Sequence, residues 1–401
     1  MCDSLCGVGP TGMIFAKNSD RPIGEVQLAV QFGQRSTAGG TLRTQYLSMG
    51  DIGAHAALLS CPTWLWGAEH GVNEFGVAIG NERVNTLPRS AQTQPALIGM
   101  DLVRLGLERA RSAHEAVEVM TDLLTTHGQG GIADAVHQES YDSSFLIADA
   151  SESFVLESSG SSFAVGAFPV GTALSNRLTL GTTWDSGSAD LDRGEDFSLF
   201  ADPSASTASA DIRLAASRAF LAAREPGELS AAATAAHLRD HGRGPWGGPG
   251  LPGPASPPPS DDSVVGASIC MHTNDRSVTA ASMIAVLPLD LAGGAPVRAY
   301  VALGSPCSSI FLPTFPITAT GPPPFVPREL FRESLWRAVD AVRVRIDDDP
   351  DAIGEIRAAL DPVEDEIWAE ADEVFEYPDR WNDVGSTWGP RALSALTSCI
   401  D

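Results

Sequence analysis

Lysine is almost missing from this chain. Of its twenty-six basic residues twenty-five are arginine, and the single lysine is Lys17. Positive charge is short altogether: fifty-one acidic residues leave a formal charge of −25. That balance argues against nucleic-acid binding, which depends on basic patches. It could steer cationic substrates, although a solvated acidic surface accounts for it as well. Long apolar runs are absent too, and no stretch reaches the roughly eighteen residues needed to cross a bilayer. The six cysteines, Cys2, Cys6, Cys61, Cys270, Cys307 and Cys399, are scattered without a CxxC pair. Such spacing suits free thiols in a reducing compartment rather than a disulfide framework. The eight histidines form no HExxH and no Cys/His cluster along the chain, so the spacing supports no zinc motif and no cofactor is expected. No glycine-rich loop ends in Gly-Lys-Ser/Thr, and no Ser–His–Asp set is readable. No basic–apolar leader precedes Cys2, so the expected compartment is the cytoplasm.

What is present concentrates at the start. Cys2 follows a methionine that cells usually remove before so small a residue. Removal would leave a thiol, with an unperturbed pKa of about 8.5, and a free α-amine, at about 7.7–8.0, on one residue. Nucleophile and general base would then be a single amino acid. Cys6 lies four residues on, on the same face of a strand, but it can never own the amine and is assigned to packing. Pro10-Thr11-Gly12 reads as a turn and Met13–Lys17 as the returning strand. That hairpin brings Lys17, Asn18 and Asp20 back beside Cys2. A chain that otherwise uses arginine has kept a compact ammonium here. Lysine is not arginine's equivalent, and a cation near a thiol favours the thiolate.

The stretches Cys2-Asp-Ser4 and Phe15-Ala-Lys-Asn-Ser-Asp-Arg21 resemble the secernin and C69 dipeptidase family of N-terminal-nucleophile (Ntn) hydrolases. So do Pro62–Glu69, Gly71–Gly76, Gly80–Glu82, Leu97–Arg109, Gly128–Gly131, Ser144–Asp149, Ser175–Arg177 and Ala281–Met283, and the resemblance runs to about residue 290. It implies an α+β fold, the Ntn-hydrolase four-layer αββα sandwich, over residues 1–320. A C-terminal helical extension would occupy 321–401. It also implies cysteine-dependent cleavage of an amide bond in a dipeptide or small N-acyl compound. Two alternatives stand beside that activity: a pathway-specific amidohydrolase or acyltransferase, and a non-catalytic secernin-like regulatory protein.

In this resemblance Asp20 holds the new α-amine or orients the attacking residue. Lys17 stands where the related bile-salt hydrolase and penicillin V acylase branch has an arginine. Asn81 matches an oxyanion-hole position and Asn176 a second active-site asparagine. Arg213 matches an active-site arginine, with Arg218 five residues on as its competitor. Trp64, Trp66 and Glu69 are candidates for the substrate pocket. The expected partner is a small-molecule or short-peptide substrate, with neither nucleic acid nor membrane, and a homo-oligomer stays open.

Local patterns add element expectations. Strands are read at 26–32, 54–61, 77–81, 144–148, 153–156, 278–287 and 299–303. Residues 35–43 read as a loop, 71–76 as a tight turn, and 183–208 as a loop or small helical insertion. A helix spans about 96–110, and Ser112-Ala-His-Glu115 opens another as a capping box, with Gly128 as its stop. Helices follow at 211–224, 230–239, 329–344 and 351–374. Residues 242–262, rich in glycine and proline, read as a connector or a lid.

Overall fold

The computed structural model describes residues 1–36, 39–87, 94–242, 266–273, 276–291, 295–316 and 324–400. In chain order the strands are β1 (Cys2–Gly9), β2 (Gly12–Pro22), β3 (Gln27–Phe32), β4 (Thr41–Arg43), β5 (Ser48–Gly50), β6 (Ala57–Pro62), β7 (His70–Asn73) and β8 (Ala78–Val84). Helices α1 (Gly99–Arg109) and α2 (Ala113–His127) follow. Then come β9 (Asp142–Ala148), β10 (Ser153–Ser159), β11 (Ser162–Ala167), β12 (Gly171–Leu174) and β13 (Ser186–Gly187). Helices α3 (Ala208–Ala222) and α4 (Ala231–Leu238) precede β14 (Ser277–Pro288), β15 (Arg298–Leu303) and β16 (Leu312–Thr314). Four helices close the chain: α5 (Glu333–Asp348), α6 (Ile353–Val374), α7 (Pro378–Gly385) and α8 (Trp388–Ser398).

One sheet has six strands in the order β12-β1-β2-β14-β15-β16, the other eight in the order β13-β11-β10-β9-β8-β7-β6-β3, and β4 pairs with β5 apart from both. Every named strand pair is antiparallel. The strand period of two decides the layers. On β1 and β2, Cys6 and Phe15 join the apolar cluster between the sheets, while Leu5, Ile14 and Ala16 turn outward onto α3 and α4. The eight-stranded sheet likewise buries Ile79, Phe145 and Ile147 under α1 and α2. Helices therefore cover the outer face of each sheet, which gives the four-layer αββα order that the resemblance implied.

Helix α2 starts as its sequence directs: the Ser112 side chain caps the Glu115 amide, and Gly128 ends it at φ 67°. The Glu115 carboxylate turns back to the amide of Arg111 (2.7 Å) instead of that of Ser112. Residues 71–76, expected as a turn, are half strand. Pairing with β6 and β8 extends β7 through Asn73, and only Glu74–Gly76 turns, with Gly76 at φ 74°. The loop expected over 35–43 contains β4, which alternation over three residues is too short to reveal. Except for Gly242, the connector expected over 242–262 lies outside the described residues.

Helices α5 and α6 pack against β15, β16 and their flanking turns, and α8 packs on both. Their apolar residues, among them Trp336, Val339, Ile367 and Leu396, join the same cluster that lies between the sheets. Helices α7 and α8 lie inside the expected helical extension, although the sequence patterns gave neither as a separate helix. Trp381 and Trp388 anchor them around Phe315, with ring centroids 4.4 and 6.3 Å away.

Glu157 shows what the inter-sheet core does to a charge. Its carboxylate accepts hydrogen bonds from the Thr179 amide (2.5 Å), the Thr179 hydroxyl (2.8 Å) and the Leu180 amide (3.1 Å). Burial still outweighs these donors and raises its pKa from 4.5 to about 7. A group raised on folding adds stability that is complete below its unfolded pKa and lost as pH rises through its folded pKa. Replacing Glu157 by glutamine should therefore become more favourable relative to wild type between pH 5 and pH 8. Urea midpoints of both proteins at the two pH values test this, and an unchanged difference would refute it.

Candidate active site

Strand β1 begins at Cys2, and the cross-strand register of β1 with β2 sets what surrounds it. Cys2 lies opposite Ser19, and Ser4 lies opposite Lys17. Residues directly opposite share a face, so Lys17 sits diagonally beside Cys2 on the inter-sheet side. Its ammonium is fully buried, donates to the Asn81 carbonyl (2.5 Å) and lies 3.5 Å from a Glu82 carboxylate oxygen. Glu82 also accepts from Ser4. Burial opposes charge on Lys17, but Cys2, Glu82 and Glu69 more than offset it and raise its pKa. Room for the side chain comes from Gly80, where a Cβ would lie 2.6 Å from Lys17 Cδ. A side chain at residue 80 would therefore collide with Lys17.

Asp20 faces the other way, toward α3. Its backbone pairs with Met1, whose terminal amine donates to the Asp20 carbonyl at 2.9 Å. Strand β14 carries a register shift between Thr279 and Ala281 opposite this point. Bulges of this kind re-aim side chains, and the Thr279 hydroxyl donates to Asp20 Oδ1 at 2.7 Å. Burial raises the Asp20 pKa to about 7, with the terminal amine and Arg213 pulling against it.

Arg213, fully buried on the first half of α3, ties the N-terminus together. It donates to the Cys2 carbonyl (3.1 Å), to Asn176 Oδ1 (2.8 Å) and to the Asp3 carboxylate, and lies 3.6 Å from Asp20 Oδ2. Asn176 Oδ1 also accepts the Cys2 backbone N–H at 2.8 Å, and its amide nitrogen donates to the Arg83 carbonyl at 3.0 Å. Arg218 is exposed on another face of α3, so the helix itself separates the two competing arginines.

Glu69, at the entry to β7, pairs with Arg21 at 2.9 Å and lies 3.9 Å from the Cys2 sulfur through its second oxygen. In the orientation that satisfies its surroundings, the Asn81 side-chain amide donates to Glu69 Oε2 (2.8 Å) and to the Glu69 carbonyl (2.9 Å). Both amide protons are thereby engaged, so an oxyanion would have to draw one of them from Glu69. Burial pushes the Cys2 thiol upward, Lys17 pulls it down and Glu69 pushes it up again, with a net rise while Met1 is attached.

These groups border a cavity of about 310 Å³, lined by Cys2, Asp20, Glu69, Asn81, Asn176 and Arg213 together with Met1. Lys17, fully buried, is not among its lining residues. Trp64 and Trp66, expected in the pocket, do not line it. Trp66 stacks on the Arg104 guanidinium at 4.2 Å, and Trp64 packs on the cluster of Leu65, Ile98 and Met100. The Pro62–Glu69 loop turns both rings away from the cavity and delivers only its last residue. Sequence reading passed over Arg21, Arg83, Glu139, Tyr141 and Arg276, which also line the cavity. Arg21 stood inside the motif Lys17–Arg21, and that adjacency was its only signal.

No family model matches the chain. Among solved structures, a mutant of the conjugated bile acid hydrolase from Clostridium perfringens aligns at 14% identity and a TM-score of 0.42, over 75% of this chain and 88% of that one. The N-acylethanolamine-hydrolyzing acid amidase ortholog of Caenorhabditis elegans aligns at 11% identity and a TM-score of 0.41, over 72% and 94%. Penicillin V acylase from Agrobacterium tumefaciens aligns at 16% identity and a TM-score of 0.31, over 41% of this chain and 49% of the acylase. The chain thus spans about half the length of that acylase. Among the described residues no helix is long and apolar enough to cross a membrane.

Proposed function

We propose that this chain is an N-terminal-nucleophile cysteine amidohydrolase of the secernin and C69 type, acting on dipeptides or small N-acyl compounds in the cytoplasm. One observation supports the reading above all. Cys2, Asp20, Glu69, Asn81, Asn176 and Arg213, chosen from the sequence, meet at one cavity.

With Met1 attached, the Cys2 nitrogen is an amide and cannot accept a proton. Removal of Met1 turns it into an amine, held by Asn176 Oδ1 where the amide now is. The amine takes the thiol proton as sulfur attacks the substrate carbonyl, and donors around Asn81 and the buried cations offset the charge on the oxygen. Collapse of the intermediate returns the proton to the leaving amine and leaves a thioester on Cys2. Water, deprotonated by the same amine, releases the acid. No step calls on a metal or an organic cofactor.

The substrate side rests on two features. The Met1 side chain packs on the pair Ala267 and Met271, as does Ala208, and removal of Met1 would open that place to an apolar side chain. Arg276 is exposed where it borders the cavity and could meet the carboxylate of a short peptide. No residue of α5–α8 lines this cavity, in keeping with a non-catalytic extension from about residue 321. The test is to trap the purified protein with an electrophilic dipeptide analogue and map the adduct by mass spectrometry. The expected product lacks Met1 and carries the adduct on Cys2. Retained Met1, or an adduct elsewhere, would refute the proposal.

A further inference from the structure

We propose that His241, Cys270, His272 and Cys307 form a structural zinc site. Along the chain these residues make no metal motif. They come from the end of α4, the segment entering β14, and the turn after β15, so only the fold assembles them. All four are buried, and one ligand atom from each lies within 4.8 Å of the other three. The His272 Nε2 atom lies 3.4 Å from the Cys270 sulfur and 3.2 Å from the Cys307 sulfur. Zn–S bonds of about 2.3 Å and Zn–N bonds of about 2.0–2.1 Å set tetrahedral edges of roughly 3.3–3.8 Å. The cluster is already close to that size.

The His272 ring orientation argues independently for a ligand. Its Nδ1 is 2.9 Å from the Asp347 carboxylate, which directs Nε2 at the sulfurs. A carboxylate behind the histidine is the usual outer support of a zinc-bound imidazole. Asp347 is itself held by Arg343, one turn earlier on α5. Two thiolates and two imidazoles select zinc over magnesium or calcium, which take oxygen ligands. Four protein ligands leave no open position, so the role is structural rather than catalytic.

What such a site would hold in place is the segment that packs against Met1, which borders the cavity. Between its two ligands, Met271 packs against Met1 and donates its amide N–H to the Thr279 hydroxyl oxygen (2.9 Å), and that hydroxyl in turn donates to Asp20. The Ile269 carbonyl accepts from Asn18 at 2.8 Å. Zinc would therefore fasten the 266–273 segment against β2. This holds whether or not the chain hydrolyses amides.

The test uses the full-length protein, purified reduced and without chelator. Elemental analysis should find about one zinc per chain. Exchange with Co²⁺ should give the intense visible absorption of a tetrahedral ion and a thiolate charge-transfer band. Cys307→Ser should lose the charge-transfer intensity or the metal, while Cys399→Ser keeps both. Asp347→Asn should bind zinc about 10–100-fold more weakly, measured against a chromophoric chelator. The proposal is overturned by folded, reduced protein that contains no zinc and takes up no Co²⁺. A Cys270–Cys307 disulfide in the native protein overturns it too. Should Cys307→Ser fail to fold, the zinc content and cobalt spectrum of the wild-type protein still decide.

Discussion

Replacing Cys2 by alanine is expected to lower kcat/KM for amide hydrolysis about a thousand-fold or more, the scale on which removal of a nucleophile acts in enzymes that form acyl intermediates. Cys2→Ala should nonetheless fold, because the main chain of β1 supplies the register with β2 whatever its first side chain. Cys6→Ala is the control. That thiol is buried in the inter-sheet cluster and does not line the cavity, so most activity should remain. Chemical blocking separates the two roles proposed for residue 2. A protein carrying an N-terminal extension that cannot be removed keeps the thiol but loses the amine, and it should be as inactive as Cys2→Ala. Cleaving the extension to expose Cys2 should restore turnover. Activity that persists behind the extension would mean that the proton is taken by another group. Glu69, 3.9 Å from the sulfur, would then be the first to examine.

Arg213→Ala should be the most destabilising single change near the site. The guanidinium is fully buried between two carboxylates, Asp3 and Asp20, and also braces the Cys2 carbonyl and Asn176. Its removal leaves like charges facing each other without water. Breaking a buried pair from one side costs about 3–5 kcal/mol. The loss should be larger at pH 8 than at pH 5. The Asp20 carboxyl is already raised to about 7 beside the cation, and without the cation it protonates still more readily, so acid relieves the repulsion. Arg213→Lys should recover only part of the stability, since one ammonium cannot span the Cys2 carbonyl, Asn176 and Asp3 together. Asp3→Asn in the Arg213→Ala background should recover some as well, which a double-mutant cycle in urea would measure. An Arg213→Ala protein that unfolds at the wild-type urea concentration would contradict this account.

Much of the local structure could be read from residues alone. The Cys2 hairpin, the Ser112 cap, the Gly128 stop and the long helices of the C-terminal region are all written in short-range chemistry. That Lys17 is singular was legible from composition, as the one exception to a uniform choice of arginine. Its surroundings were not, because Gly80 and Asn81, which adjoin its side chain, come from a strand of the other sheet. Trp64 and Trp66 were misread for a related reason. Sequence shows that two rings lie near Glu69, whereas the path of the loop decides which way they point.

Sequence by itself singled out Cys2 as the candidate nucleophile with its own base, because a thiol and a freed α-amine would meet only there. It also determined the alternation that splits β1 and β2 into an inner and an outer face. Tertiary structure alone decided that Arg213 rather than Arg218 reaches Cys2, that Asn81 is engaged by Glu69, and that two histidines and two cysteines as far apart as residues 241 and 307 share one buried point. Those outcomes depend on strand order and on which face of a helix meets the sheet. Both are set by packing between segments distant in the chain, and no local spacing encodes them.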